Sequence, residues 1–311
     1  MREDGHVLVV GAAGLDVKAS PYHEPLLEGT SNPGRIRNAV GGVARNIAEN
    51  LARLEVPTVL LSAVGDDPPG QRVLEQAEES GIDVSHVLQV PDARTGEWMG
   101  LMRPDGGLRL AVDDYEIMEH LTPRYLNARR RLFAEARMVV IDANLTPRTM
   151  QSVFGLAARY ALPVCADPTS ANLAGRLCDF LNQLYMVTPN IRETAALCGV
   201  SVTVDDRESA LAAARELLAL GVQIAVVTLG AAGLVYATGG ESGYVPALRV
   251  EVLDSTGAGD ALTAGVIFGL MNEVPLDEAM RLGVSAAALT LRTRHTVVPN
   301  LSQELLYNQL V

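Results

Sequence analysis

Asp254-Ser255-Thr256-Gly257-Ala258-Gly259-Asp260 holds what is needed to grip an anion and move a proton. Two glycines and an alanine at a strand-to-helix turn leave backbone N–H groups uncovered. At a helix start, such amides and the positive end of the helix dipole bind anions. Asp260, in the first helical turn, lies beside that anion as a proton acceptor would. The flanks supply the two elements. Tyr244 to Leu253 alternates as a strand, and Ala261 to Met271 is a small-residue-rich apolar run that reads as buried helix. The plainer alternative is a turn with an aspartate cap.

Four other groupings bear on that choice. Gly11-Ala12-Ala13-Gly14-Leu15-Asp16 ends the first strand with a carboxylate able to accept hydrogen bonds from substrate hydroxyls. It lacks the third glycine and the acidic second-strand end of a dinucleotide fingerprint. Gly41-Gly42-Val43-Ala44-Arg45-Asn46 opens a helix with a glycine pair that lets a ligand approach, and sets an asparagine one turn in. Asn190 and Glu193 lie three residues apart on one face of a starting helix. Thr228-Leu229-Gly230-Ala231-Ala232-Gly233 is a glycine-punctuated turn between strands. Singly, these read as helix caps at Asp16, Asn46 and Asn190, a hairpin turn at Gly230 and a solvated charge at Glu193.

The elements that must position them follow from periodicity. His6 to Gly11 and Thr58 to Val64 read as strands, and Gly42 to Leu54 and Gly70 to Ser80 as helices. Thr95 to Met102 and Leu108 to Val112 alternate around Pro104-Asp105-Gly106-Gly107, a hairpin. After Thr122 the rhythm is strictly strand–helix–strand, with strands at Met138–Asp142, Val164–Asp167, Tyr185–Val187, Ala225–Leu229 and Leu234–Ala237. Apolar strands alternating with amphipathic helices predict an α/β, doubly wound, mostly parallel sheet covered on both faces. The early extended pieces, about 15–40 and 93–114, interrupt this rhythm. They predict a small β-sheet lid inserted in a single domain spanning 1–311, over the crevice at the strands' carboxyl ends.

Composition narrows the chemistry. The formal net charge of −12 argues against a nucleic-acid-binding surface, and no apolar run is long enough to span a membrane. The start, Met1 to His6, does not read as a signal peptide. Cys165, Cys178 and Cys198 lack metal-ligand spacing and read as buried thiols of a cytoplasmic protein. Lys18 is the only lysine, and neither a P-loop nor a protein-kinase pattern surrounds it. Phosphate chemistry would then use amides, helix dipoles, a metal or arginine.

Taken together, the Gly-Gly near position 41, Asn190-x-x-Glu193, Thr228-x-Gly230-x-x-Gly233 and Asp254-Ser-Thr-Gly-Ala-Gly-Asp260 give a chain that resembles the ribokinase/PfkB carbohydrate kinases over essentially its full length. The resemblance implies a ribokinase-like core, a lid that closes on the acceptor and pairs two subunits as a homodimer, and transfer of the ATP γ-phosphate with Mg2+. Within the family the likeness is strongest to the branch that phosphorylates pseudouridine. It rests on Thr30-Ser-Asn-Pro-Gly-Arg-Ile36, on Gly41 through Ala52, and on Leu61-Ser-Ala-Val-Gly65. Val43 stands where sugar-specific ribokinases carry a lysine, and Val284 where they tend to carry an asparagine near adenine. Those departures argue against ribose. Another nucleoside or sugar remains the alternative acceptor, and a non-catalytic nucleoside-binding protein a more distant one.

The resemblance also distributes roles. Asp260 would take the proton from the acceptor hydroxyl while the amides of Gly257, Ala258 and Gly259 face the transferring phosphoryl oxygens. Asn190 and Glu193 would organise the Mg2+ water shell. Asp16, Gly42 and Asn46 would hold ribose hydroxyls, and Ser31, Asn32, Thr95 and Asp113 are candidates for reading the base, with Trp98 and Tyr115 the nearest rings. Thr228, Gly230 and Gly233 would border the nucleotide, with Ala287 and His295 near adenine. Asp254 and Thr256 could contribute oxygens to a monovalent-cation site, K+ in several relatives. Arg45, one turn from the glycine pair, could reach the transferred phosphate, or could be a helix-surface arginine.

Overall fold

The computed structural model describes residues 5–199 and 206–310; Met1 to Asp4, part of the start read as leaderless, lie outside them. Two sheets organise the chain. The larger is built from β1 (His6–Val10), and the smaller from β2 (Gly14–Pro21) and β3 (Gly34–Gly41). β4 (Thr58–Leu61) joins the larger sheet. β5 (Ala63–Gly65) and β6 (Leu88–Val90) pair only with each other. The smaller sheet is completed by β7 (Gly96–Met102) and β8 (Leu108–Asp114), the larger by β9 (Ala136–Asp142), β10 (Val164–Asp167), β11 (Met186–Val187), β12 (Ile224–Thr228), β13 (Leu234–Thr238) and β14 (Ser242–Val245). The larger sheet runs β14-β13-β12-β11-β10-β9-β1-β4 and the smaller β3-β2-β7-β8.

Both faces of the larger sheet are buried, which is why its strands read as unbroken apolar runs. Val7 and Val9 point into one core, Leu8 and Val10 into the other. The first core holds the helices Val43–Arg53, Ala258–Met271 and Leu276–Leu291, and the second Pro147–Arg159 and Arg207–Ala219. Ala258–Met271 is apolar on nearly every side, and Gly265 brings it against Leu276–Leu291. A Cβ on Gly265 would stand 2.8 Å from the Leu282 carbonyl, and one on Gly283 2.6 Å from Val266 Cγ2.

Three expectations change. The strict strand–helix rhythm stops at β12, because β13 and β14 run antiparallel. The few residues between β12 and β13 make a hairpin, whereas a parallel crossover needs a dozen or more. Tyr244 to Leu253 is strand only to Val245; the chain then leaves the sheet and lines two cavities instead. Thr58 to Val64 breaks at Ser62, where the chain passes from the large sheet to the two-stranded one. Among the cysteines Cys165 is buried, but Cys178 lies exposed on the outer side of the segment Gly175–Gln183.

Candidate active site

The carboxyl ends of the central strands meet the smaller sheet. Asp142 and Asp167 end β9 and β10 in matched register. Asp142 is fully buried and ties the region together: Oδ2 accepts the amides of Ala12 (2.8 Å) and Ala44 (3.0 Å), and Oδ1 that of Asn144 (2.9 Å). It thereby fastens the turn after β1 to the first turn of helix Val43–Arg53. The glycine pair between them is required by space. A Cβ on Gly41 would strike the Asp16 carboxylate. Gly42, at φ 93°, has the Ala12 carbonyl 2.5 Å from where its Cβ would be.

Asp260 lies in the first turn of helix Ala258–Met271, whose N-cap is Gly257 at φ 84° with no side-chain cap. Its Oδ2 accepts a hydrogen bond from Asn46 Nδ2 at 2.7 Å. Burial and the neighbouring Asp167 hold the carboxyl well above the usual range, while the Asn46 amide opposes that shift. Asn46 is itself oriented, since Arg45 Nη1 donates to its Oδ1 at 3.0 Å. Arg45 is neither a helix-surface residue nor free to grip phosphate. It is fully buried, with its two terminal nitrogens engaged by Glu49, Asn46 Oδ1 and the Val40 carbonyl. Its pairing with Glu49, i to i+4 on one helix face, satisfies a charge that burial would otherwise expel.

Asp16 faces this centre from β2. Burial raises its pKa to about 6, opposed by the charges of Lys18 and Arg45. Among the described residues its carboxylate has no hydrogen-bond donor. Register sets it in a row across the inner face of the smaller sheet: Ala39, Asp16, Trp98 and Asp113 pair in succession. That row offers an acceptor, an aromatic ring and a second acceptor. Asp113, with Tyr115 and Asn144, borders a cavity of about 280 Å³.

Two of the candidates for reading the base, Asn32 and Thr95, are otherwise engaged, and Ser31 lies exposed. Ser31 and Asn32 sit on the exposed loop between β2 and β3, where the Asn32 side chain bonds the Leu27 backbone. Thr95 is buried, with its hydroxyl accepting the Gly65 amide and donating to Asp67 at the start of helix Pro68–Glu79. These are loop and cap fastenings, which a polar residue type does not distinguish from ligand contacts.

Asn190 and Glu193 close on one another. The Asn190 side chain caps the amides of Arg192 and Glu193, and Glu193 accepts the Asn190 amide at 2.8 Å. Glu193 is no solvated charge: it is buried, and burial together with Asp167 raises its pKa to about 7. Asp167 rises to about 6 for the same reason of burial, steadied by the Thr169 amide and the Thr263 hydroxyl. Buried carboxylates that repel one another fit a divalent cation nearby. Among the described residues no group of three His, Cys, Asp or Glu side chains could hold an ion. Asp142 and Asp167 were missed in the sequence because a strand-ending aspartate carries no local signature.

An apolar cavity of about 610 Å³ adjoins the helix start, lined by Thr228, Gly230, Gly233, Ala258, Gly259 and Ala287 among others. The bridge between Asn190 and Thr228 brings this turn beside the Asn190–Glu193 pair. Val284 also lines it. His295 does not: it is exposed and borders a separate cleft of about 1030 Å³ on the far side of Val252, shared with Lys18, Arg35, Arg37, Arg103 and Arg294.

Asp254 and Thr256 stand differently from the expectation. Asp254 Oδ1 accepts the Thr256 amide at 2.9 Å, and Oδ2 receives the Lys18 ammonium at 2.8 Å. The oxygen that a potassium ion would use already holds a cation. The one lysine, set aside because no phosphate motif surrounds it, thus lies at the head of the Gly257–Asp260 loop. Its partner is 236 positions away in sequence, beyond any local pattern.

No helix among the described residues is long and apolar enough to cross a membrane. Residues 4–303 match the pfkB family carbohydrate kinases. A pseudouridine kinase of Escherichia coli (strain K12) is 34% identical over 303 residues, 97% of this chain and 95% of its own length. A guanosine-inosine kinase of Exiguobacterium acetylicum is 29% identical over 299 residues, 95% and 97% of the two chains. The Arabidopsis thaliana ribokinase, solved with ribose and ATP, superposes with a TM-score of 0.85 over 99% of each chain at 21% identity, a likeness of fold. The chain belongs to the pfkB carbohydrate kinase family, phosphotransferases with an alcohol group as acceptor.

Proposed function

We propose that this kinase transfers the γ-phosphoryl group of ATP to the 5′-hydroxyl of pseudouridine, giving pseudouridine 5′-phosphate. The observation that carries the choice of acceptor is the 34% identity with a pseudouridine kinase along 97% of the chain. The site supports it. Asp16, without a donor of its own, accepts from ribose hydroxyls beside Gly42 and Asn46. Trp98 offers a ring to the base, and Asp113 an acceptor for the extra N1–H that distinguishes pseudouridine from uridine. Adenine would occupy the apolar cavity between Thr228–Gly233 and Ala287, with the triphosphate running toward Gly257–Gly259.

Asp260 then takes the proton from the attacking hydroxyl, with Asn46 donating to its carboxylate and opposing the rise that burial imposes. The Gly257–Gly259 amides and the helix dipole stabilise charge on the transferring group. Asn190, Glu193 and Asp167 would hold Mg2+ through water, and the ion would supply the remaining neutralisation.

The outer face of the smaller sheet exposes Ile36 (70%), Met99 (56%), Leu110 (61%) and Val112 (68%), opposite the row that holds Asp16. A second copy of the chain, sheet face against sheet face, covers it in a homodimer. A panel of pseudouridine, uridine, inosine, guanosine, ribose and fructose, followed by coupled ADP release, tests the acceptor. Faster turnover of any other member than of pseudouridine overturns the assignment; preference for inosine or guanosine would match the purine-nucleoside relative instead.

A further inference from the structure

The smaller sheet and the phosphate-facing loop are joined by one buried ion pair. Lys18 lies on the inner face of β2, one row beyond Asp16, and its side chain is 6% exposed. Its Nζ has a single protein acceptor among the described residues, Asp254 Oδ2 at 2.8 Å. Asp254, whose side chain is 11% exposed, uses its other oxygen to fix the Thr256 amide, immediately before the left-handed Gly257. Both oxygens of the carboxylate that starts the loop are therefore committed, one to the loop's own backbone and one to a cation.

The nature of that cation is informative. Every other basic side chain among the 25 lysines and arginines is an arginine. A guanidinium is planar and presents a fork, whereas an ammonium is a compact point charge with three rotatable donors. Against one carboxylate oxygen, an ammonium is the protein group nearest in shape and charge to a monovalent ion. A carboxylate this buried needs a positive partner, because losing one member of a buried pair leaves an uncompensated charge.

We infer that the Lys18 ammonium is the built-in monovalent cation of the Asp254–Asp260 loop, so that this kinase holds its phosphate-facing amides in place without potassium. Lys18 is a positioning residue. It acts through Asp254 and the Thr256 amide, and touches the loop only when β2 lies against the core. The inference rests on the phosphoryl-transfer reading for its effect on rate, but not for its effect on stability.

The test uses the full chain in choline, sodium and potassium chloride at equal ionic strength, with two readouts: thermal melting without substrate, and turnover of the acceptor selected by the panel. Wild type is expected to melt and turn over alike, within about twofold, in all three salts. Lys18→Ala in choline is expected to melt lower and to lose turnover by about tenfold or more, the rate equivalent of about 1.4 kcal/mol. Potassium or ammonium should restore both saturably, and choline should not. Lys18→Arg, which keeps the charge but not the compact shape, should be restored less. Saturable activation of wild type by potassium overturns the inference. So does a Lys18→Ala protein that matches wild type in choline, or one whose losses neither potassium nor ammonium repairs. If wild type phosphorylates no acceptor, the kinase reading fails, while the ion-dependent melting of Lys18→Ala still decides the role of Lys18.

Discussion

Removing the Asn46 amide should move the pH at which this kinase switches on. Asn46 Nδ2 donates to Asp260 Oδ2 at 2.7 Å, and burial and Asp167 push the Asp260 pKa the other way. A hydrogen bond to a charged group contributes about 1.5–3 kcal/mol. Losing it leaves burial and Asp167 unopposed, so the Asp260 pKa rises further. The base works only when ionised, so activity is lost as pH falls through that pKa. In Asn46→Ala the acid limb of kcat should therefore move to higher pH. Below the wild-type limb this is a loss of about 10–100-fold, recovering as pH rises. The assay is coupled ADP release at saturating nucleotide and acceptor, from pH 5 to 9 on the order of half-unit steps. Arg45→Met should move the limb the same way by less, because Arg45 Nη1 fixes which end of the Asn46 amide meets Asp260. A kcat depressed equally at every pH, with the limb unmoved, would show that Asn46 only binds substrate and would refute the reasoning.

Other outcomes follow from the same geometry. Asp260→Asn should lower kcat by about 10²–10⁴-fold with little change in nucleotide affinity, measured by turnover and by direct titration; retained turnover would remove Asp260 as the base. Asp16, Asp167 and Glu193 have folded-state pKa values raised to about 6, 6 and 7 by burial. The stability they contribute is full below their unfolded pKa values and lost as pH rises through the folded ones. The melting temperature should thus fall between about pH 4 and 7, and Mg2+ should reverse part of the fall. A melting temperature that climbs across that window would contradict the burial of these groups. Val112→Lys should shift the particle toward monomer in light scattering while sparing the inner row; an unchanged mass would put any dimer contact elsewhere. Gly257→Ala should cut turnover, because any Cβ there meets the Thr296 carbonyl while φ remains 84°.

What could be read from the sequence was what backbone chemistry dictates locally. Gly41-Gly42 and Gly257-Ala258-Gly259 announce themselves because only small residues tolerate those turns, and the alternation of β1, β9 and β10 announces a sheet buried on both faces. What escaped depends on partners far along the chain. The residue type of Arg45 suggested phosphate, yet Glu49 and Val40 had already claimed it. Asp142 and Asp167 looked like strand ends, and their charge repulsion exists only once β9 and β10 lie in register. The alternating run from Tyr244 to Leu253 kept a strand's pattern where it borders cavities on two sides. Alternation does not require a neighbouring strand: Leu248, Val252 and Leu253 of that run are exposed.

The glycine-mediated contact between Ala258–Met271 and Leu276–Leu291 divides the molecule for anyone who would re-engineer it. A single added methyl at Gly265 or Gly283 meets carbonyl or side-chain atoms at under 3 Å, and the displacement would be transmitted along a rigid rod to Asp260. That half of the protein is a fixed datum against which everything else is measured. The strands that carry Asp16, Trp98 and Asp113 have one wetted face, so, apart from Lys18, which ties β2 to the loop, side chains such as Trp98 and Asp113 can be exchanged without disturbing the datum. Acceptor preference is therefore the editable property of this scaffold, and the position of the base is not.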